Sequence, residues 1–163
     1  MSDLFLGLIS GTSADGIDTA LVDFADGHAR LRFGRTYPWD PELRAQLVAL
    51  GQQDASLSLD AIAELDVRIG RGFAEAALQA LGDSGTPAAA VRAIGSHGQT
   101  LRHRPRGPYP YTLQLGDPST LAERTGIAVV ADLRRRDVAA GGHGAPLLPG
   151  LHAALLHAPD EDR

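Results

Sequence analysis

The chain has 163 residues, of which 44% are hydrophobic and 21% charged, and it carries a formal net charge of −5. That length suits one domain able to bury roughly 70% of the surface its unfolded form exposes, and the acidic balance excludes a general nucleic-acid binder. The absence of cysteine excludes disulfides, thiolate metal sites and a cysteine nucleophile. No run approaches the roughly 20 apolar residues of a membrane span, and no signal-peptide pattern opens the chain, so the expected compartment is the cytoplasm and no membrane partner is expected.

Residues 4–9 and 17–24 are apolar runs of strand length and predict a first hairpin of strands over 4–10 and 17–24. Between them lies Ser10-Gly11-Thr12-Ser13-Ala14-Asp15-Gly16-Ile17-Asp18-Thr19. Asp15-Gly16 is the dipeptide a tight hairpin turn wants, because both positions tolerate φ > 0. Such a turn needs only those two residues, so the added Ser-Gly-Thr-Ser predicts a loop built to hold something. Small hydroxyl residues and glycines let backbone N–H groups approach an anion closely. The expected ligand is phosphate, with Asp15 or Asp18 facing an accompanying metal ion; a decorated surface hairpin is the plain alternative.

Residues 29–37 alternate Leu31 and Phe33 with Arg30 and Arg32, a third strand with one wet face, joined to the second through the Asp26-Gly27 turn. Pro38 and Pro41 break the pattern, and a helix opens at Pro41-Glu42 and runs to about residue 50. A longer helix is predicted over 59–81, where Ile62, Leu65, Ile69, Phe73, Ala77 and Leu81 recur at threes and fours, with Ser58 or Asp60 as its cap. Gly70 and Gly72 inside it each cost about 1 kcal/mol of helix propensity, which points to close packing there. Residues 91–96 and 127–133 are continuous apolar runs suited to strands of a doubly covered sheet, with a helix over 116–125 between them and a last helix over 147–156. Three meandering strands followed by alternating helices and strands make an α/β domain. It resembles the ribonuclease-H-like domains of the actin-like sugar kinases and ATPases, which carry a phosphate loop at the first hairpin.

Three further clusters carry candidate chemistry. Ser96-His97-Gly98-Gln99-Thr100 is read as following the fourth strand, at the carboxyl end where ligands of parallel sheets sit. His97, Gln99 and Thr100 there suit sugar hydroxyls, the alternative being a loop whose histidine caps neighbouring backbone. Gln114 and Asp117 flank a strand-to-helix turn, where Asp117 either caps the helix or touches a ligand. Asp132-Leu133-Arg134-Arg135-Arg136-Asp137 would ordinarily be a solvated, self-neutralising run. It leads into a glycine-rich segment, Gly141-Gly142-His143-Gly144, that favours a site instead. An arginine there could pair bidentately with a carboxylate or phosphate, and an aspartate could hold a sugar hydroxyl or act as a base. A histidine metal site is not expected: His152 and His157 stand five apart, off a common helix face, and no His-Glu-x-x-His pattern occurs.

Taken together, residues 7–18 (Gly7 to Asp18), Gly95-Ser96-His97-Gly98-Gln99-Thr100, Leu113-Gln114-Leu115-Gly116-Asp117, and residues 130–137 with 141–149 resemble, in order and spacing, the 1,6-anhydro-N-acetylmuramic acid kinases. The resemblance implies an enzyme of bacterial cell-wall recycling that uses ATP, Mg²⁺ and water. Water attacks the anomeric carbon of 1,6-anhydro-N-acetylmuramic acid while the 6-oxygen receives the γ-phosphoryl group, giving N-acetylmuramic acid 6-phosphate. Carried over, Gly11, Thr12, Ser13, Ala14, Asp15, Gly16, Ile17 and Asp18 form the ATP-phosphate loop, with Asp15 on the Mg²⁺ side. His97, Gln99, Thr100, Gln114, Asp117, Asp132, Arg134, Arg135, Arg136 and Asp137 line the sugar pocket, one arginine meeting the lactyl carboxylate. His143 and Leu133 depart from the family's usual glutamine and phenylalanine.

The family pattern continues into a second domain with an Asp-Thr-Gly-Pro-Gly-Asn segment, whose aspartate the resemblance implies as the base. That segment is not among these residues, so the expectation is a first domain over 1–158, a charged tail over 159–163, and little activity of the chain alone. An apolar face left open would favour self-association or a homodimer. The alternatives are a sugar- or phosphate-binding remnant without catalysis and another actin-like sugar kinase domain.

Overall fold

The computed structural model describes residues 3–52 and 56–156. Its sheet is built outward from β1 (Leu4–Ser10), which pairs antiparallel with β2 (Ile17–Asp23) on one side. β2 in turn pairs antiparallel with β3 (Arg30–Tyr37), completing the expected meander. On its other side β1 runs parallel to β4 (Val91–Arg104). That parallel pairing requires a crossover, which is supplied by α1 (Pro41–Gln52) and α2 (Leu59–Ser84).

β4 is the long strand of the fold, and it changes partner along its length. Its first half pairs parallel with β6 (Val129–Val130), through Ile94↔Val129 and Gly95↔Val130. Its second half pairs antiparallel with β5 (Tyr111–Leu115), from Gln99↔Leu115 to Arg104↔Tyr111. The order β3-β2-β1-β4, a meander followed by a parallel crossover strand, is the α/β arrangement expected from the sequence.

α2 holds the sheet through the stripe its spacing predicts. Leu65, Ile69, Phe73, Ala77 and Leu81 are buried with Leu6, Leu8, Ile17, Leu21 and Ile94 in one core. Phe73 is fully buried, with the Trp39 ring 5.6 Å away; truncating such a residue to alanine costs about 3–5 kcal/mol. Ser58 caps the helix by accepting from the Ala61 N–H at 3.1 Å, and Gly85 ends it in the left-handed conformation. The two interior glycines lie at close approaches. A Cβ on Gly70 would stand 2.8 Å from the Asp117 carbonyl oxygen, and one on Gly72 2.7 Å from Trp39 Cζ3.

Five expectations need correction. The fourth strand does not end at Ser96, so Ser96–Thr100 is not a loop. At Ser10↔Gln99 the β1–β4 register shifts, and Gly98 bulges in the left-handed region (φ +75°), which bends the strand without ending it. The predicted fifth strand over 127–133 shortens to Val129–Val130, because Asp132 takes φ +57° and the chain turns into α4 (Arg135–Ala139). The helix predicted from 116 begins at Pro118 as α3 (Pro118–Thr125), and the last one begins at Pro149 as α5 (Pro149–Leu156). In the first hairpin the left-handed residue is Ala14 (φ +48°), neither Asp15 nor Gly16.

No helix among the described residues is long and apolar enough to cross a membrane. Leu147, Leu148, Leu151 and Leu155, on and just before α5, are exposed. His157, the boundary at 158 and the tail over 159–163 lie outside the described residues.

Candidate functional site

The loop between β1 and β2 is held by its carbonyl groups. Gly11 O accepts from the Ala14 N–H at 3.1 Å and from the Gln99 side-chain amide at 2.8 Å. Ala14 O accepts from Arg44 Nε on α1 at 3.0 Å. With the carbonyls fixed by these bonds, the N–H groups of Thr12 and Ser13 donate to no acceptor among the described residues, and both residues are exposed. Successive free N–H groups on a fixed turn form an anion-binding concavity. Gly16 is required by packing, since a Cβ there would meet Thr36 Cγ2 and come within 3.1 Å of the Tyr37 carbonyl.

Two carboxylates flank this loop in different states. Asp15 is exposed and accepts from Ser13 Oγ at 2.8 Å. That hydrogen bond above all, then one from its own backbone and the nearby Arg44 charge, holds its carboxyl below the usual range. Asp18 sits on β2, where Thr36 Oγ1 donates to it at 2.5 Å. Among the described residues no group of three acidic or histidine side chains converges. A Mg²⁺ ion at Asp15 would therefore draw its other ligands from phosphate and water, the usual mode for this ion. The free N–H groups and an ionised, exposed carboxylate fit a Mg²⁺-bound polyphosphate.

A cleft of about 240 Å³ opens one strand away, lined among others by Asp66, Ser96, His97, Gln114, Asp132 and Arg135. Ser96 is 1% exposed and its hydroxyl has no hydrogen-bond partner among the described residues. A buried, unpaired hydroxyl in a cleft wall asks for a ligand atom or water to satisfy it. Asp66, from α2, accepts the Gly116 N–H at 2.6 Å. Gly98 lets the two strands meet, since a Cβ there would lie 2.6 Å from the Leu115 carbonyl. His97 Nε2 accepts from Arg134 Nε at 2.6 Å, so the ring proton is on Nδ1, facing the Gly98 carbonyl at 2.9 Å. Burial, aided by the Arg134 charge, lowers the His97 pKa and keeps the ring neutral.

The expected sugar residues therefore divide. His97, Gln114, Asp132 and Arg135 are brought together in the cleft. Arg135 pairs with Asp132 at 3.4 Å with both side chains more than half exposed, an arrangement a ligand carboxylate could join. Gln99 is 2% exposed and braces the β1–β2 loop, while Thr100, outside the cleft lining, accepts from Gln114 Nε2 at 3.2 Å. Asp117 does not reach the cleft. It caps α3, accepting from the Ser119 and Thr120 N–H groups at 3.0 Å, and the Thr120 hydroxyl with these N–H groups keeps its pKa low. Arg134 and Asp137 both tie down Gly144, through its carbonyl and N–H respectively, at 2.6 Å. Arg136 is exposed on α4 and away from the cleft lining.

Asp66 and Arg44 were not singled out from the sequence. The signal for Asp66 is an acidic residue directly after Leu65 of the apolar stripe, one turn before Gly70; Arg44 looks like any solvated helix arginine.

The model of the family "Anhydro-N-acetylmuramic acid kinase" matches residues 3–163. The chain belongs to this family. A relative named anhydro-N-acetylmuramic acid kinase from Xanthomonas axonopodis pv. citri is 58% identical over 99% of this chain and 44% of its own length. The one so named from Vibrio parahaemolyticus is 47% identical over 95% of this chain and 42% of its own. The chain thus spans less than half the length of these anhydro-N-acetylmuramic acid kinases. Among solved structures, YeaZ from Pseudomonas aeruginosa matches 82% of this chain and 46% of its own at 21% identity, with a TM-score of 0.28, too slight a likeness to argue from.

Proposed function

We propose that this chain supplies the phosphate loop and part of the sugar cleft of a cytoplasmic kinase for 1,6-anhydro-N-acetylmuramic acid. Its reaction uses ATP, Mg²⁺ and water to open the anhydro ring and phosphorylate O6, yielding N-acetylmuramic acid 6-phosphate during cell-wall recycling. The observation that carries this reading is a juxtaposition. Ser10 and Gln99 are register partners on the parallel strands β1 and β4, so the anion-binding loop leaves the carboxyl end of β1 level with the middle of β4, beside the Ser96–His97 wall of the cleft. That is where open α/β sheets hold their ligands.

When bound, the Mg²⁺ nucleotide supplies the γ-phosphoryl group and the charge neutralisation its transfer needs. The Thr12 and Ser13 N–H groups bind phosphate oxygens, and Asp15 orients the metal side of the nucleotide. In the cleft, Ser96 and Asp66 bind sugar hydroxyl or acetamido groups, His97 in its fixed tautomer presents a rigid wall, and Arg135 meets the lactyl carboxylate. None of these groups is placed to act as the base. That role falls to the aspartate of the family's Asp-Thr-Gly-Pro-Gly-Asn segment, which these residues do not include, so the chain alone binds sugar but turns over little of it.

Calorimetric titration with 1,6-anhydro-N-acetylmuramic acid, alongside mass spectrometry of the mixture with ATP and Mg²⁺, tests this reading. Saturable binding with little 6-phosphate sugar is expected. Lack of binding overturns the cleft assignment, and abundant product overturns the assignment of the base outside these residues.

A further inference from the structure

Ala14 is the one residue of the phosphate loop in the left-handed region, at φ +48°. It is also fully buried. For a residue with a Cβ that conformation costs roughly 1–2 kcal/mol and persists only where neighbours enforce it. Two bonds do so: the Ala14 N–H to Gly11 O, and Arg44 Nε to Ala14 O. The first belongs to the loop itself. The second comes from outside, from an exposed side chain on α1 that otherwise serves no packing purpose in the core. Its charge is also felt by Asp15, the next residue along.

We propose that Arg44 is a positioning residue for the phosphate loop: by donating to the Ala14 carbonyl from α1, it fixes the left-handed turn that leaves the Thr12 and Ser13 N–H groups free for an anion. The proposal rests on the reading of this loop as a phosphate site. Gln99 braces the other carbonyl, on Gly11, from β4, so the loop is clamped between one exposed and one buried side chain. The exposed clamp can be removed without touching the core, which makes its contribution separable from folding.

The test uses Arg44→Ala, Arg44→Gln and Arg44→Lys. Gln keeps an uncharged donor for the Ala14 carbonyl, and Lys keeps the charge without the fixed Nε geometry. Hydrogen exchange of the Ala14 amide, which is bonded to Gly11 O, reads loop order without any ligand. Arg44→Ala is expected to raise that exchange at least tenfold with the melting temperature unchanged, and Arg44→Gln to restore most of the protection. Unchanged exchange in Arg44→Ala overturns the proposal, as does restoration by Lys but not Gln, which would make the effect one of charge.

Titration with Mg²⁺·ATP, followed by emission of Trp39, is the second reading. Trp39 is the sole tryptophan of the chain and donates to Ser10 Oγ at 3.1 Å beside the loop. A roughly tenfold weaker affinity is expected for Arg44→Ala. Equal affinities in wild type and Arg44→Ala overturn the proposal. An exchange response together with no nucleotide binding by the wild type overturns the phosphate reading instead, and leaves Arg44 as a clamp of a loop with another ligand.

Discussion

Two glycines of α2 allow the same substitution to be tried with opposite expected signs. In an open helix position Gly→Ala stabilises by about 1 kcal/mol, because alanine loses less backbone entropy on folding. At Gly82 nothing lies within 4 Å of the added Cβ, so Gly82→Ala should collect that gain. At Gly70 the Cβ would stand 2.8 Å from the Asp117 carbonyl oxygen and 3.0 Å from its nitrogen. Those are backbone atoms, pinned by the Asp117 N–H to the Asp66 carbonyl at 3.1 Å, and no rotamer change can move them aside. Forcing a methyl into such a contact costs about 1–3 kcal/mol, which offsets the propensity gain of about 1 kcal/mol and leaves a net loss of up to about 2 kcal/mol. At about 2–4 °C per kcal/mol for a chain of this size, Gly82→Ala should melt a few degrees higher and Gly70→Ala a few degrees lower, followed by circular dichroism. Gly70→Ala should also weaken sugar binding, since Asp117 follows Gly116 at the cleft wall. Equal stabilisation by the two substitutions would refute the reasoning that α2 touches the β5–α3 turn at Gly70.

Ser96→Ala removes a buried hydroxyl with no partner among the described residues; it should leave stability unchanged or raise it by up to about 1 kcal/mol, while sugar affinity, measured by calorimetry, should fall about tenfold. Asp15→Asn, at an exposed side chain, should stay within about 0.5 kcal/mol of wild type in stability yet remove most of the Mg²⁺ dependence of ATP binding, measured by titration with and without the metal. His97 has its pKa held below 6.5 by burial and the Arg134 charge. As pH falls through that value the unfolded chain takes up the proton first, so stability should decline from there downward, and His97→Gln should flatten the slope of melting temperature against pH. The lowered carboxyls of Asp15 and Asp117 act in a separate window, their contribution being lost as pH falls below 3.8.

Strong local periodicity made most of the fold legible. The β1–β2 hairpin, the stripe and cap of α2, and the close approaches at Gly70 and Gly72 all follow from residue spacing. The second half of β4 did not, because Thr100–Arg104 is polar except for Leu101 and its partner β5 lies beyond a proline-rich turn. Strand pairing of that kind is a tertiary fact that propensity does not carry. The site was legible as a set of motifs but not in its division of labour. Gln99 and Asp117 look like ligand contacts in a one-dimensional reading, yet the first is buried against Gly11 and the second is consumed by the cap of α3. Ser96 became a candidate only once its burial and its missing partner were known. Arg44 carries no local signal, since its role depends on where α1 passes the loop.

The most direct test of the two-site account is amide NMR mapping of the chain against each ligand separately. Mg²⁺·ATP should shift the amides of Thr12, Ser13 and Asp15, and 1,6-anhydro-N-acetylmuramic acid those of Ser96, His97, Gly116 and Arg135, each saturably. Shifts from both ligands at one common patch, or from neither at these residues, would contradict it.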